Sequence, residues 1–254
     1  MEYQEFAPRP ELAPYVRCFW TLRDAVPDGR PERIVPDGCC EIIVNRADPF
    51  RGRNGVQPLH MAVGQLQSHL NIVPTGVVDL LAVRFEPGGL YSFMDGAPMN
   101  ELTERNIELK LRGVRTLAEL EATLLARLRR SDGLVAEAAR RIRRARGGVV
   151  VHRLARDLGV SERGLERAFA REVGLPPKRL ARIERFQGVV RTVEATASLA
   201  WAAMAVECGY YDQAHLIRDF KHFAGVSPTA YFAEEHPMSD CFVGFVQSDD
   251  AAAS

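Results

Sequence analysis

Two groups of side chains in this sequence have types and spacings suited to chemistry or recognition. The first group lies in the N-terminal hundred residues and consists of Trp20, Cys39, His60, Arg84 and Glu86. Arg84 and Glu86 alternate with apolar residues, so they share one face of an extended segment and either line a small-molecule pocket or form an exposed cross-strand pair. The second group lies in the C-terminal half, where Arg, Glu and Gln recur at helical spacing. These side chains match the hydrogen-bonding edges of DNA bases.

The thiol and imidazole groups do not have the spacing of a metal centre. A metal-dependent β-barrel enzyme needs an H-x-H pair, a carboxylate and a further histidine, and His60 and His69 lack that spacing. The five cysteines include no C-x-x-C pair, which argues against a thiolate zinc site and a disulfide framework. Alternation along a strand predicts that one of Cys39 and Cys40 faces the interior and the other faces solvent. We expect no enzyme, no metal and no cofactor.

The composition is that of a globular protein with one large or two ordinary domains. The chain has 254 residues, 46% of them hydrophobic, and its 33 basic residues balance 33 acidic ones. A nucleic-acid site must therefore be a local patch. The N-terminus lacks a charged-then-apolar signal segment, and the longest nearly apolar run, residues 197–206, is about half as long as a bilayer crossing requires. We expect a soluble cytoplasmic protein.

The pattern of apolar residues changes near residue 100. Before that point, short apolar runs bounded by Pro and Gly predict strands. These runs are residues 34–35, 41–44, 61–63 and 77–85. The expected fold class is α+β, with a β-rich, barrel-like N-terminal domain followed by an all-α domain.

Helical periodicity begins at residue 116. A first helix at 116–130 carries leucines on one face, which either mediate dimerisation or cap the β-rich domain. Ser131 or Asp132 is expected to cap a second, strongly basic helix at 134–146. The leucines of the first helix are Leu117, Leu120, Leu124 and Leu128.

The end of the chain is predicted to add little to the helical domain. Residues 241–246 are apolar and are predicted to form a strand, and residues 247–254 are predicted to be disordered. The predicted domains are residues 1–112, a helical linker at 113–133, a helical domain at 134–236 and a tail at 237–254.

The helical half contains an internal duplication. The first copy is LARDLGVSERGLERAFAREVG, residues 154–174, and the second is MAVECGYYDQAHLIRDFKHFAG, residues 204–225. Two positions match at an offset of 50 and four at an offset of 51, so one extra residue lies in the second turn. Six matched positions with a single insertion are not easily produced by chance.

Each copy has the features of a helix-turn-helix. A small residue allows close crossing, a Gly four positions later tolerates the positive φ of a tight turn, and a capping residue starts the next helix. These residues are Ala155, Gly159 and Ser161 in the first copy and Ala205, Gly209 and Asp212 in the second. The second helix of each copy buries a Leu and a Phe and exposes its opposite face. The exposed positions are Arg163, Glu166 and Arg167 in one and Gln213, Ala214, Ile217 and Arg218 in the other.

A single helix at about 177–193 is predicted to connect the two copies. Its sixteen or so residues span about 24 Å. With the widths of the flanking helices, a separation of about 34 Å between the two exposed faces is plausible, which is the distance between successive major grooves on one face of DNA.

These motifs resemble the AraC/XylS family of bacterial transcription regulators over residues 134–235. The most specific stretch is GYYDQAHLIRDFKHFAGVSPTAY, residues 209–231, and LARDLGVSERGLERAF is also similar. The resemblance implies two helix-turn-helix subdomains that bind double-stranded promoter DNA, with RNA polymerase as a further partner. A homodimer, formed through the leucine helix or the β-rich half, is a separate expectation. It implies base contacts at Arg163, Glu166, Arg167, Gln213, Ala214, His215, Ile217 and Arg218. Phosphate contacts are assigned to Arg171, Lys178, Arg179 and Lys221.

The N-terminal half resembles an uncharacterised β-rich domain that precedes the DNA-binding half in a subgroup of this family. The similarity spans about residues 3–110 and includes RIVPDGCCEIIVN and the RFEPGG segment. The family domain is regarded as cupin-like or sensor-like, and the resemblance implies no known ligand. We expect this half either to sense a small-molecule effector or to mediate dimerisation. The candidate effector residues are Trp20, Cys39, His60, Arg84 and Glu86.

Three alternatives to a regulator stay open at this point. One is a cupin-type metal-dependent enzyme that uses its helices for assembly, and another is a thiol or metal sensor. The third is a protein-binding adaptor, which would have no salt-dependent affinity for DNA.

Overall fold

The computed structural model describes residues 1–195 and 201–234, and it has a β-rich N-terminal half and a helical C-terminal half. The strands in the described residues are β1 (Glu2–Phe6), β2 (Val16–Asp24), β3 (Glu32–Ile34), β4 (Glu41–Asn45), β5 (Phe50–Gly52), β6 (Gly55–Val56), β7 (His60–Val63), β8 (Leu70–Pro74), β9 (Val78–Phe85) and β10 (Asn106–Glu108). The helices are α1 (Leu117–Arg127), α2 (Leu134–Arg144), α3 (Val151–Asp157), α4 (Glu162–Glu172), α5 (Pro177–Ala195), α6 (Trp201–Glu207), α7 (Gln213–Ala224) and α8 (Pro228–Tyr231). Among these helices none has the length and hydropathy to cross a membrane.

The strands form two antiparallel sheets. The larger has the order β1-β2-β9-β4-β7-β10 and the smaller β3-β8-β5-β6. Side chains alternate between faces along a strand. Trp20, Leu22 and Leu80 therefore pack on one face of the larger sheet with Phe50 of β5, while the opposite face carries a second core. This arrangement confirms the predicted β-rich domain.

Helix α1 covers that second core. Its first turn is fixed by a capping box in which Thr116 and Glu119 satisfy each other's backbone N–H groups. Leu120 and Leu124 are buried in the same cluster as Phe93. Dimerisation and covering of the β-rich domain were the two roles considered for the leucine face, and in the structure this face covers the β-rich domain. The segment expected as a linker therefore packs onto the N-terminal half.

The remaining helices pack around α5. Phe186 of α5 has its ring centroid 5.0 Å from that of Phe220 and 5.2 Å from that of Phe223, both on α7. Leu165 and Phe169 of α4 are fully buried in the same cluster. Because the buried face of one helix supports both, α4 and α7 are held in a defined relation to each other.

Two local predictions are wrong. Cys39 and Cys40 are both buried, because they precede β4 in a loop where strand alternation does not apply. The N-cap of α2 is Gly133 at φ +81°, not Ser131 or Asp132, although the Asp132 carboxylate accepts a hydrogen bond from the Leu134 backbone N–H. The strand predicted at 241–246 and the disorder predicted at 247–254 lie outside the described residues.

Candidate DNA-binding surface

The first helix-turn-helix unit consists of α3, a turn and α4. Gly159 in the turn has φ +73°, a conformation that side chains disfavour. The Ser161 hydroxyl caps α4 by accepting from the Gly164 backbone N–H at 3.0 Å. With one face of α4 buried, Arg163, Glu166 and Arg167 are exposed together on the opposite face, as expected.

The second unit, α6 and α7, repeats this construction. Gly209 has φ +74°, and the Asp212 carboxylate accepts from the His215 backbone N–H at 2.7 Å. The inner face of α7 buries Leu216 and Phe220. Its outer face exposes Gln213, Ala214 and Arg218.

His215 and Ile217 differ from the other predicted base-contacting residues because both are half-buried. The His215 ring meets the Tyr210 ring edge-on at 5.2 Å, and its Nε2 lies 3.9 Å from an Asp219 carboxylate oxygen. Asp219 is in turn held by Arg182 of α5 at 2.8 Å. His215 thus packs within its own unit, and less of its surface is open to a ligand.

The four cations expected at phosphates fall into two pairs. Lys178 and Lys221 are exposed. Arg171 pairs with Glu172 and lies over the Tyr91 ring of the N-terminal half at 5.8 Å. Arg179 is half-buried with its Nη1 2.7 Å from His222 Nε2, and burial together with Arg182 lowers its pKa.

Four of the five candidate effector residues lie in two neighbouring polar clusters. In the first, the Arg84 side chain is only 4% exposed and its Nε donates to Glu41 at 2.9 Å. The Trp20 indole N–H donates to the same carboxylate at 3.1 Å. Burial raises the pKa of Glu41, and Arg84 opposes that rise. Arg84 is thus a buried cross-strand partner of Glu41, and not the exposed pair considered from the sequence.

The second cluster joins the two halves of the molecule. Glu86 accepts from Arg143 of α2 at 2.5 Å and lies 3.6 Å from Arg17. Burial alone would raise the pKa of Glu86, but the two guanidinium groups lower it to about 2. Cys39 is buried near Arg17, and burial raises the pKa of its thiol well above the ordinary value, which disfavours the reactive thiolate.

His60 stands apart from these clusters. It opens β7 opposite Val44, three residues along β4 from Glu41. Within the described residues, no group of three or more His, Cys, Asp or Glu side chains is arranged to hold a metal ion. Two features escaped the sequence reasoning. They are the carboxylate partners of Arg84, which are Glu41 at 2.9 Å and Asp37 at 3.6 Å, and the exposed Tyr211, for which the one-residue offset in the repeat was the available signal.

Comparison with known proteins identifies both halves. Residues 154–234 match a helix-turn-helix domain family and residues 4–108 match a domain of unknown function (DUF6597). No curated protein matches the chain.

The solved structures that resemble this chain are distant from it in sequence. ToxT from Vibrio cholerae is 7% identical, with 92% of this chain and 98% of that chain covered and a TM-score of 0.49. The same protein bound to an unsaturated fatty acid is 11% identical, with 84% and 94% covered and a TM-score of 0.46. The xylose-binding transcription activator XylR is 23% identical over 50% of this chain and 30% of that chain, at a TM-score of 0.35.

The fold and the exposed helix faces define a two-domain DNA-binding protein with a β-rich domain in front of helix-turn-helix units. The chain carries a DUF6597 domain followed by an AraC-type helix-turn-helix domain. The resemblance to AraC/XylS regulators stated from the sequence is thereby confirmed.

Proposed function

We propose that this chain regulates transcription by inserting α4 and α7 into two adjacent major grooves on one face of promoter DNA. The observation that carries this proposal is the repeated unit held on one helix. Helix α5 has 19 residues and therefore spans about 28 Å. The widths of α4 and α7 extend the distance toward the 34 Å or so between successive grooves.

The exposed faces supply the proposed base contacts. Arg163, Arg167, Gln213 and Arg218 would donate to guanine or adenine edges, and Glu166 would accept from a cytosine amine. Lys178 and Lys221 are the cations most available for phosphates, because Arg171 and Arg179 already have partners within the protein. Phosphate contacts would orient the protein without specifying sequence.

Control by a small molecule is the second part of the proposal. It is supported by contacts between the β-rich half and both helix-turn-helix units. Thr103 donates to the Gly174 carbonyl at the end of the first unit at 2.8 Å, and Arg33 donates to the Ala224 carbonyl at the end of α7 at 2.7 Å. An effector that shifts the β-rich half would therefore act on both units. Mass spectrometry of a ligand released from denatured purified protein tests this part directly.

The DNA-binding proposal is tested by gel-shift titration against the upstream region of the protein's own gene. We expect Arg167→Ala and Arg218→Ala each to weaken binding by about 1–3 kcal/mol, with affinity falling steeply as salt rises. Arg127→Ala is the matched control, because Arg127 is an exposed arginine at the end of α1, on the N-terminal half. Unchanged binding by both reading-face variants would mean that the assigned faces are wrong.

A further inference from the structure

The two helix-turn-helix units align position for position except for one inserted residue, Tyr211. In both units, a backbone N–H in the turn donates to the carbonyl of the small residue in the first helix. The Val160 N–H donates to the Ala155 carbonyl at 3.0 Å, and the Tyr210 N–H donates to the Ala205 carbonyl at 2.8 Å. Val160 is followed directly by the cap Ser161. Tyr210 is followed by Tyr211 and only then by the cap Asp212.

The inserted residue is the more exposed of two adjacent tyrosines. Tyr210 is buried, with its ring beside His215 and under the Arg185 guanidinium at 5.7 Å. Tyr211 is 90% exposed, the largest exposed fraction among the large apolar and aromatic residues described. The solvent-exposed Tyr211 ring therefore lies just before the N-cap of α7, close in sequence to the exposed Gln213 and Ala214.

We infer that Tyr211 is a specificity-determining contact of the second unit, with its ring against the methyl group of a thymine at the edge of the second half-site. The inference rests on the proposed function. The N-terminal residues of a reading helix meet base edges, and Tyr211 directly precedes the N-cap of α7. The thymine methyl is the apolar feature of the major groove. The first unit has no counterpart of Tyr211, so this thymine preference belongs to one half-site alone.

The test selects binding sites from randomised duplexes with wild-type protein, Tyr211→Ala and Tyr211→Phe. We expect wild type and Tyr211→Phe to select one thymine that Tyr211→Ala does not select, with the rest of the motif unchanged. Replacing that thymine by uracil, which lacks the methyl, weakens wild-type binding by about fivefold and leaves Tyr211→Ala binding unchanged. Thermal melting checks that the variants are folded.

Arg218→Ala separates failure of this inference from failure of the proposed function. If Arg218→Ala weakens binding while Tyr211→Ala selects the same motif at the same affinity, Tyr211 is not a base contact and the inference is overturned. If neither variant alters binding, the proposed reading face itself is wrong. If Tyr211→Ala binds normally but loses activation of RNA polymerase in vitro, Tyr211 contacts the polymerase, which also overturns the inference.

Discussion

Single charged residues hold the two halves of the molecule together. Arg143 of α2 donates to Glu86 of the β-rich half, and its Nε lies 3.6 Å from Glu184 of α5. Glu184 is itself buried. Charges removed from water in this way must be paired, because a lone buried charge is strongly destabilising. Loss of the Glu86 charge should therefore destabilise the contact between the β-rich half and the helical half, which is called the joint below.

The joint should weaken in acid through Glu86. Its pKa is about 2 in the folded protein, whereas the unfolded chain binds this proton near pH 4.3. The stabilisation is therefore complete at neutral pH and is lost as pH falls from about 5 to about 2, and it is worth about 3 kcal/mol. We expect Glu86→Gln to lower the free energy of unfolding in urea at pH 7 and to have little effect near pH 2.

Glu108→Gln, at an exposed carboxylate on β10, is the control and should change the free energy of unfolding little at either pH. An equal loss for Glu86→Gln at pH 7 and at pH 2 would contradict the assigned role of its charge.

At the scale of the element, the start of α7 depends on one cap. The Asp212 carboxylate accepts from the His215 backbone N–H. We expect Asp212→Ala to cost about 1 kcal/mol of stability and to loosen the turn that presents Gln213 to DNA. Asp212→Asn keeps the acceptor oxygen and should retain most of both stability and affinity. Melting temperature and gel-shift affinity measure the two effects, and equal losses for the two variants would show that the charge matters more than the hydrogen bond.

Elements with strong local signals were predictable from the sequence, and elements defined by distant partners were not. The Gly159 and Gly209 turns and the caps at Ser161 and Asp212 follow from short-range chemistry. Strands β1, β2, β5, β6, β8 and β10 lie outside the predicted runs. For β5 and β6 the reason is that three and two residues carry too little periodicity and pair only through the folded sheet. The burial of both thiols at Cys39 and Cys40 was also missed, because both residues lie in a loop where strand alternation does not apply and their burial depends on distant residues that pack over the loop.

The candidate site divides in the same way. The outer faces of α4 and α7 follow from helical period, since Leu165 and Phe169 fix which side is buried. The pairing of Arg84 with Glu41 could not be inferred, because it depends on the register between β9 and β4. Strand register is set by long-range packing of the whole sheet.

At the scale of the whole molecule, one loop of the β-rich half reaches into the helical half. Val35 belongs to the apolar cluster of the helices, and Gln187 of α5 donates to the Pro36 carbonyl at 2.7 Å. Two residues further, Gly38 adopts φ +79°, and a Cβ there would lie 2.8 Å from Leu180 Cδ1 of α5. The loop therefore contacts the helix that carries both reading units, and it ends at Asp37 and Cys39 beside the buried Arg84.

This loop gives a prediction for coupling between the halves. Gly38→Ala should destabilise the protein, because it combines an unfavourable positive φ with a clash against Leu180. Gly113→Ala is the matched control, since Gly113 has φ +80° with no atom near its Cβ position. We expect the unfavourable positive φ to lower the free energy of unfolding of both variants by about 1 kcal/mol or more. Only Gly38→Ala should also raise amide hydrogen exchange in residues 180–187 and change DNA affinity. If the two variants behaved alike and α5 kept its protection, the loop would be packed against α5 without positioning it, and coupling would have to pass through Glu86 and Thr103 instead.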